Sequence, residues 1–292
     1  MPGGLQIPMG GRGGMSFTSL LIIGAIMLLF GINPLEVLTS GGGGQFPQIE
    51  MPRQQPTQRQ SGPNIPGLPG TGSKTTASND EMQVFIGRVL ADTEQVWDRV
   101  FQSFGEKYKE PQLDIFLRGT RTACGLGQAQ MGPFYCPVDR KIYIDLAFYD
   151  ELKRRFNAPG DFAQAYVVAH EVGHHVQTLF GIAEKVHSLK QQMDQRSANQ
   201  LQVRMELQAD CLAAVWANLN HQLNNRLEPG DIEEGLRAAN AIGVDMIQKK
   251  TQGYVVPDAF THGSAEQRMR WFSNGYKVGK MQSCDTFNTD RL

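Results

Sequence analysis

The sequence has no excess of charge of either sign: 28 Lys and Arg face 29 Asp and Glu, a net charge of −1. That balance removes nucleic acid and anionic surfaces as principal partners, because both select a basic field. Cysteine is scarce, with four residues at 124, 136, 211 and 284. No pair has the Cys-x-x-Cys spacing of a zinc ribbon or a dithiol redox site. No internal repeat is visible.

Long apolar runs are limited to one, Leu20–Ile32. Its 13 residues fall a little short of the roughly 20 that a bilayer-spanning helix needs. The flanks, 1–16 and 39–78, are rich in Gly, Pro and Gln and offer a buried helix nothing to pack against. The run is therefore a membrane anchor or a signal peptide. No clear Ala-x-Ala site follows it, and Leu35, Val37 and Leu38 extend it past Asn33-Pro34, so an anchor is expected over 17–38. Arg12 precedes the run and no Lys or Arg follows before Arg53. This predicts a cytoplasmic N-terminus and a body outside the cytoplasm. Residues 1–16 are then a short tail, and 39–78 a flexible linker of about 35 Å root-mean-square span. Residues 79–292 form a single domain.

An oxidising compartment favours two disulfides. The expected pairs are Cys124 with Cys136 and Cys211 with Cys284; four buried thiols are the alternative.

Ser78-Asn79-Asp80 read as caps for a long amphipathic helix with apolar positions from Met82 to Phe104 at three- and four-residue spacing. Gln112–Leu117 and Lys141–Leu146 read as strands on either side of a Gly-rich loop bearing Cys124 and Cys136. Phe162–Phe180, Ala183–Gln222 (continuous or broken) and Pro229–Lys250 are helical by pattern. The fold class is α+β, mainly helical, with a small sheet preceding the central helices.

Within the first of those helices lies Ala-His170-Glu171-Val-Gly-His174-His175. His170 and His174 are four apart, which places both imidazoles on one helical face, where together they can hold one Zn²⁺. Glu171 projects alongside and can reach a metal-bound water as general base. His175 points roughly 100° away from His174 and is a packing or supporting residue. A catalytic zinc needs a third protein ligand. Glu206 and Asp210, also four apart and in an otherwise apolar stretch, supply one. Two buried carboxylates repel unless their roles divide, so Glu206 is assigned as the ligand, and Asp210 as the acceptor for the free N–H of a ligating imidazole. Further on, Thr261-His262-Gly-Ser264 leads into a helix with Ser264 as its cap. His262 is either a donor to an oxyanion or a cap and packing residue, and Arg268, which can bind Asp210 or a substrate carboxylate, is the rival donor.

With these segments in place the chain resembles the bacterial family called putative neutral zinc metallopeptidases. The resemblance rests on Cys124-Gly, Gly132-Pro-Phe-Tyr-Cys136-Pro, Ile142-Tyr-Ile-Asp, His170-Glu-Val-Gly-His-His-Val-Gln, Glu206-Leu-Gln-Ala-Asp-Cys, His262-Gly-Ser-Ala-Glu-Gln-Arg, Trp271-Phe and Cys284-Asp-Thr-Phe. It implies a single-pass anchor and a zincin-type fold. More distantly, Glu206-x-x-Ala-Asp210 and Thr261 through Arg268 look like segments of the membrane proteases that process CAAX proteins or respond to heat shock. In those families the glutamate completes the zinc site and a histidine before a helix lies near the substrate. They favour Pro where Gly263-Ser264 stands here.

The expected function is zinc-dependent hydrolysis of peptides or unfolded protein segments. The Lys141–Leu146 strand, at a sheet edge, would hold an extended substrate by main-chain pairing. Two alternatives are a deformylase-like hydrolase with Cys136 as third ligand and a tethered, non-catalytic binding protein with structural zinc.

Overall fold

The computed structural model describes residues 73–117, 119–128, 132–154 and 160–292. The tail and the anchor expected over 17–38 lie outside the described residues, as does most of the linker. Among the described residues no helix is long and apolar enough to cross a membrane.

Helix α1, Ser73–Ser103, begins five residues before the expected caps at 78–80. Gly72 is the last glycine before it, and nothing between Lys74 and Asn79 disfavours helix strongly enough to stop it there. Its buried stripe, Ile86, Val89, Leu90, Val96, Trp97 and Phe101, packs on helices α3 (Asp161–Leu179) and α5 (Gln195–Asn224).

The small sheet has the order β1 (Gln112–Phe116), β5 (Lys141–Asp145), β4 (Phe134–Cys136). β1 runs parallel to β5 and β4 antiparallel to it. The expectation that the 141–146 strand sits at an edge is therefore wrong. Its burial pattern gives the reason: Ile142, Tyr143, Ile144 and Asp145 are all buried, as a strand flanked on both sides requires. The strand also stops one residue early. The Asp145 carboxylate accepts from the Ala147 amide (2.9 Å), starting helix α2, Leu146–Arg154. The segment read as a Gly-rich loop contains β4 and a hairpin, β2 (Gly119–Thr122) with β3 (Gly125–Gln128). A disulfide from Cys124 in the hairpin turn to Cys136 fixes it to β4.

The two remaining helical stretches are each divided. Asp194 caps α5 through Ser197 N–H, separating it from α4, Ile182–Lys190. Ile242-Gly243 separates α6, Asp231–Ala241, from α7, Val244–Gln252. Helix α8, Ala265–Val278, starts at Ser264 with a capping box closed by Gln267, as the sequence indicates. α5 is central: α3 packs on one side of it and α8 on another. The Cys211–Cys284 disulfide ties α5 to the C-terminal segment.

Candidate metal centre

His170 and His174 lie on α3, and Glu206 and Asp210 on α5, where the two helices cross. One carboxylate oxygen of Glu206, Oε2, lies 3.3 Å from His170 Nε2 and 3.4 Å from His174 Nε2. A tetrahedral site with ligand bonds of about 2.05 Å has ligand–ligand edges of about 3.3 Å. The donor set therefore fits one Zn²⁺ with two neutral imidazoles and a monodentate carboxylate.

Each of the three donors is held from behind. His170 Nδ1 is 2.8 Å from Asp210 Oδ1. Asp210 is fully buried and is gripped by Arg268 on α8, whose Nε and Nη2 donate to its two oxygens at 2.9 and 2.8 Å. Tyr166, one turn before His170, donates its hydroxyl to Asp210 (2.5 Å) and accepts from Arg268 (3.0 Å). His174 Nδ1 is 2.8 Å from the Gln177 side-chain oxygen. Glu206 Oε1 accepts from Gln202 (2.7 Å), and Gln202 in turn accepts from Lys190 at the end of α4 (2.6 Å). Engaging Oε1 in this way leaves Oε2 to the histidines.

The electrostatics of this cluster suit a cation. Burial alone would lower the His170 pKa, but Asp210, with Glu206 and Glu171 behind it, raises it to about 10. His174 is raised too, Glu206 outweighing its burial. Burial would raise Glu206; His262, His174 and His170 overcome that and hold its carboxyl well below the ordinary range. Asp210 is likewise lowered against its burial by Arg268 and His170. The pocket concentrates negative charge around two imidazole nitrogens, which is what a dication requires.

Glu171 is buried beside this cluster. Burial raises its pKa, opposed by His170 and His174, reinforced by Glu206, and moderated by the main-chain N–H of Tyr135 on β4. The site thus touches the sheet at β4. His262 is exposed at the surface, yet within electrostatic reach of Glu206; desolvation of its ring lowers its pKa, and Glu206 opposes that. Its Nδ1 lies 2.9 Å from the Thr261 hydroxyl. Gly263 follows with φ +81°, and a Cβ there would lie 3.0 Å from Leu207 of α5. The glycine permits both the turn and the close approach that bring His262 to Glu206. His175 faces away, between the Tyr135 hydroxyl (2.9 Å) and the Lys109 carbonyl (2.6 Å).

Both cysteine pairs are disulfides, Cys124–Cys136 and Cys211–Cys284. A disulfide sulfur is no thiolate, so Cys136 cannot be a third ligand. Reading the sequence missed Tyr166, Gln177, Gln202 and Gln208. Three of them stand three or four residues from a ligand, on the same helical face, and that spacing was the available signal.

The sequence pattern of the family described as "Putative neutral zinc metallopeptidase" matches residues 1–287. The uncharacterized protein YpfJ of Escherichia coli K12 is 50% identical over 225 residues, covering 76% of this chain and 78% of its own. The uncharacterized protein Rv2575 of Mycobacterium tuberculosis H37Rv is 41% identical over 215 residues, covering 70% and 71%. No solved structure matches the chain.

Proposed function

The chain belongs to the putative neutral zinc metallopeptidases, and we propose that its described domain hydrolyses peptide bonds with Glu171 as general base. The carrying observation is the convergence of His170 Nε2, His174 Nε2 and Glu206 Oε2, with Glu171 buried beside them. Zinc held there would supply Lewis acidity, making a water nucleophilic near neutral pH and polarising the scissile carbonyl.

The chain's own residues do the rest. Glu171 takes the proton of the attacking water and delivers it to the leaving amine; its burial raises its basicity for that task. Tyr135 N–H fixes the orientation of the carboxylate. Asp210, neutralised by Arg268 and Tyr166, holds the His170 ring with Nε2 directed into the site. His262 donates to the oxygen on which charge develops. The edge strand nearest Glu171 is β4, so main-chain pairing with an extended substrate is assigned to β4 in place of the 141–145 strand. Peptides and unfolded segments are the substrates such an edge can take.

The domain is placed outside the cytoplasm behind the 17–38 anchor, with the N-terminus inside. The 20–32 apolar run, the following Gly- and Pro-rich linker and two disulfides support this. Protease accessibility in intact against permeabilised cells checks it.

The functional test combines metal analysis of the 73–292 domain with cleavage of a peptide library. Zinc at one per chain is expected, lost in Glu206→Ala. Glu171→Gln should keep the metal and lose about 10²–10⁴-fold in rate. Cleavage that survives unchanged in Glu171→Gln would refute the mechanism. Zinc without cleavage of any peptide would favour the tethered binding protein.

A further inference from the structure

The two histidines of the site are supported differently. His170 leans on a carboxylate, which can only accept a hydrogen bond, so its Nδ1 carries the proton. His174 leans on an amide, Gln177, and an amide offers either an oxygen or an NH₂ group depending on which way it is turned. Turned the wrong way, Gln177 would present N–H to Nδ1, and the His174 proton would move to Nε2, where the metal must bind.

The surroundings of Gln177 decide the matter. It is fully buried on α3 and its Nε2 lies 2.7 Å from the Met205 carbonyl and 3.0 Å from Gln208 Oε1, both on α5. A main-chain carbonyl is only an acceptor, so the NH₂ group must face Met205 and the oxygen must face His174. The second contact is fixed by the same logic. Gln208 Nε2 lies 3.0 Å from the Cys284 carbonyl, again only an acceptor, so Gln208 must present its oxygen to Gln177. Cys284 is itself held to α5 by the disulfide to Cys211. Nearby, the Thr286 hydroxyl donates to the Arg204 carbonyl (2.6 Å). The chain of donors has one polarity from end to end: His174 to Gln177, Gln177 to Gln208, Gln208 to Cys284.

We propose that Gln177 and Gln208 are positioning residues that fix His174 as the Nδ1–H tautomer, with the polarity imposed by the main-chain carbonyls of Met205 and Cys284. This rests on the metal-site reading above. The His174 support is uncharged, whereas that of His170 is a carboxylate; Gln177 therefore orients a ligand without adding to the three carboxylates already buried there, Glu171, Glu206 and Asp210.

The test uses the full chain and three variants, read by zinc affinity in chelator competition, by long-range ¹H–¹⁵N correlation of the His174 ring, and by thermal stability of the metal-free protein. Gln177→Leu removes the acceptor and should weaken zinc about 10–100-fold, in line with other supporting partners of metal ligands. Gln177→Glu keeps an acceptor for Nδ1 but loses both donations to α5. It should lower thermal stability as Gln177→Leu does, yet hold zinc within a few-fold of the parent. Gln208→Leu leaves Met205 to orient Gln177 and should weaken zinc by about 2–10-fold, less than Gln177→Leu. In the metal-free parent, at a pH high enough for the ring to be neutral, the His174 signal should show Nδ1 protonated and Nε2 bare.

Equal zinc affinity in Gln177→Leu and the parent overturns the proposal. So does equal loss in Gln177→Glu and Gln177→Leu, which would make Gln177 a packing residue, and so does a parent ring protonated on Nε2. A parent that binds no zinc is a different failure, since it removes the metal site itself.

Discussion

Gly173 of α3 faces the backbone of Ala209 on α5 so closely that a Cβ at 173 would lie 3.0 Å from the Ala209 carbonyl oxygen and 3.1 Å from its Cα. This contact lies between His170 and His174 on one helix and between Glu206 and Asp210 on the other. It sets the separation of the two ligand-bearing helices.

Gly173→Ala tests that role, and the two effects oppose each other. Helix propensity favours Ala over Gly by about 1 kcal/mol. Overpacking against backbone, which cannot swing aside as a side chain can, costs about 1–3 kcal/mol. The metal-free protein should lose up to about 2 kcal/mol on balance, and zinc affinity should fall as Glu206 is moved off the histidines. A more stable variant that binds zinc normally would show that the close approach does not set the site.

Arg268 is the countercharge on which the His170 support depends. It is 2% exposed and its Nε and Nη2 are committed to Asp210 and Tyr166. These bonds make it a partner of Asp210, one of the two roles left open by the sequence, and not a free donor to substrate. Arg268→Met leaves the buried Asp210 carboxylate without its guanidinium countercharge, with only Tyr166 and His170 beside it, which should cost about 3–5 kcal/mol. Urea unfolding of metal-free protein measures it. The double variant Arg268→Met with Asp210→Asn should recover much of that loss, because the orphaned charge goes with it; no recovery would deny the pairing.

How much of this site was legible beforehand follows from helix geometry. His170, His174, Glu206 and Asp210 declare themselves because titratable residues four apart in apolar helices need a common partner. Gln177, Gln202 and Gln208 do not, since a glutamine is ordinary on any helix and its orientation is settled only by long-range partners such as the Cys284 carbonyl. The same limit applies to the sheet. The alternation of Lys141–Asp145 marks a strand, but its central place depends on β4, three residues long and hidden in a Gly-rich stretch. β2 and β3 carry three glycines in eight residues, composition that disfavours strands, and the Cys124–Cys136 disulfide offsets it locally. The N-cap of α8 at Ser264 was readable because capping chemistry is local.

Asp139, in the turn between β4 and β5, makes the sheet sensitive to acid. It accepts from the Ala123 and Lys141 amides and from the Tyr143 hydroxyl at 3.1, 3.2 and 2.7 Å. Its modest burial would raise the pKa; the Tyr143 bond and the two amides overcome it and lower it below the ordinary 3.8. A carboxyl lowered on folding adds stability that is fully present above its unfolded pKa and disappears as pH falls through the folded one. Asp139→Asn should therefore lower Tm at pH 6, and the gap to the parent should close as the pH drops below about 4. Thermal melts of metal-free protein between pH 6 and 2 provide the check. A gap independent of pH would assign the loss to packing.

With Arg268 held by Asp210, the proposed mechanism assigns the donor for the developing oxyanion to His262. This histidine is exposed, lies within electrostatic reach of Glu206, and is braced by Thr261, whose hydroxyl is 2.9 Å from Nδ1; with Nδ1 accepting from that hydroxyl, the ring proton sits on Nε2 and can be donated. Removing one such donor costs about 10²–10³-fold in kcat at the strongest sites. The exposure of His262 weakens its field, so His262→Ala should lower kcat by about 10–10³-fold with KM little changed. Bound zinc should stay at one per chain, because the three donors on α3 and α5 are complete without it. Thr261→Val, which removes the brace but leaves the ring, should give a smaller loss in the same parameter. Metal loss in His262→Ala would make this histidine a ligand. Unchanged kinetics would reduce it to a residue of the turn before α8, and the donor would then have to come from the main chain.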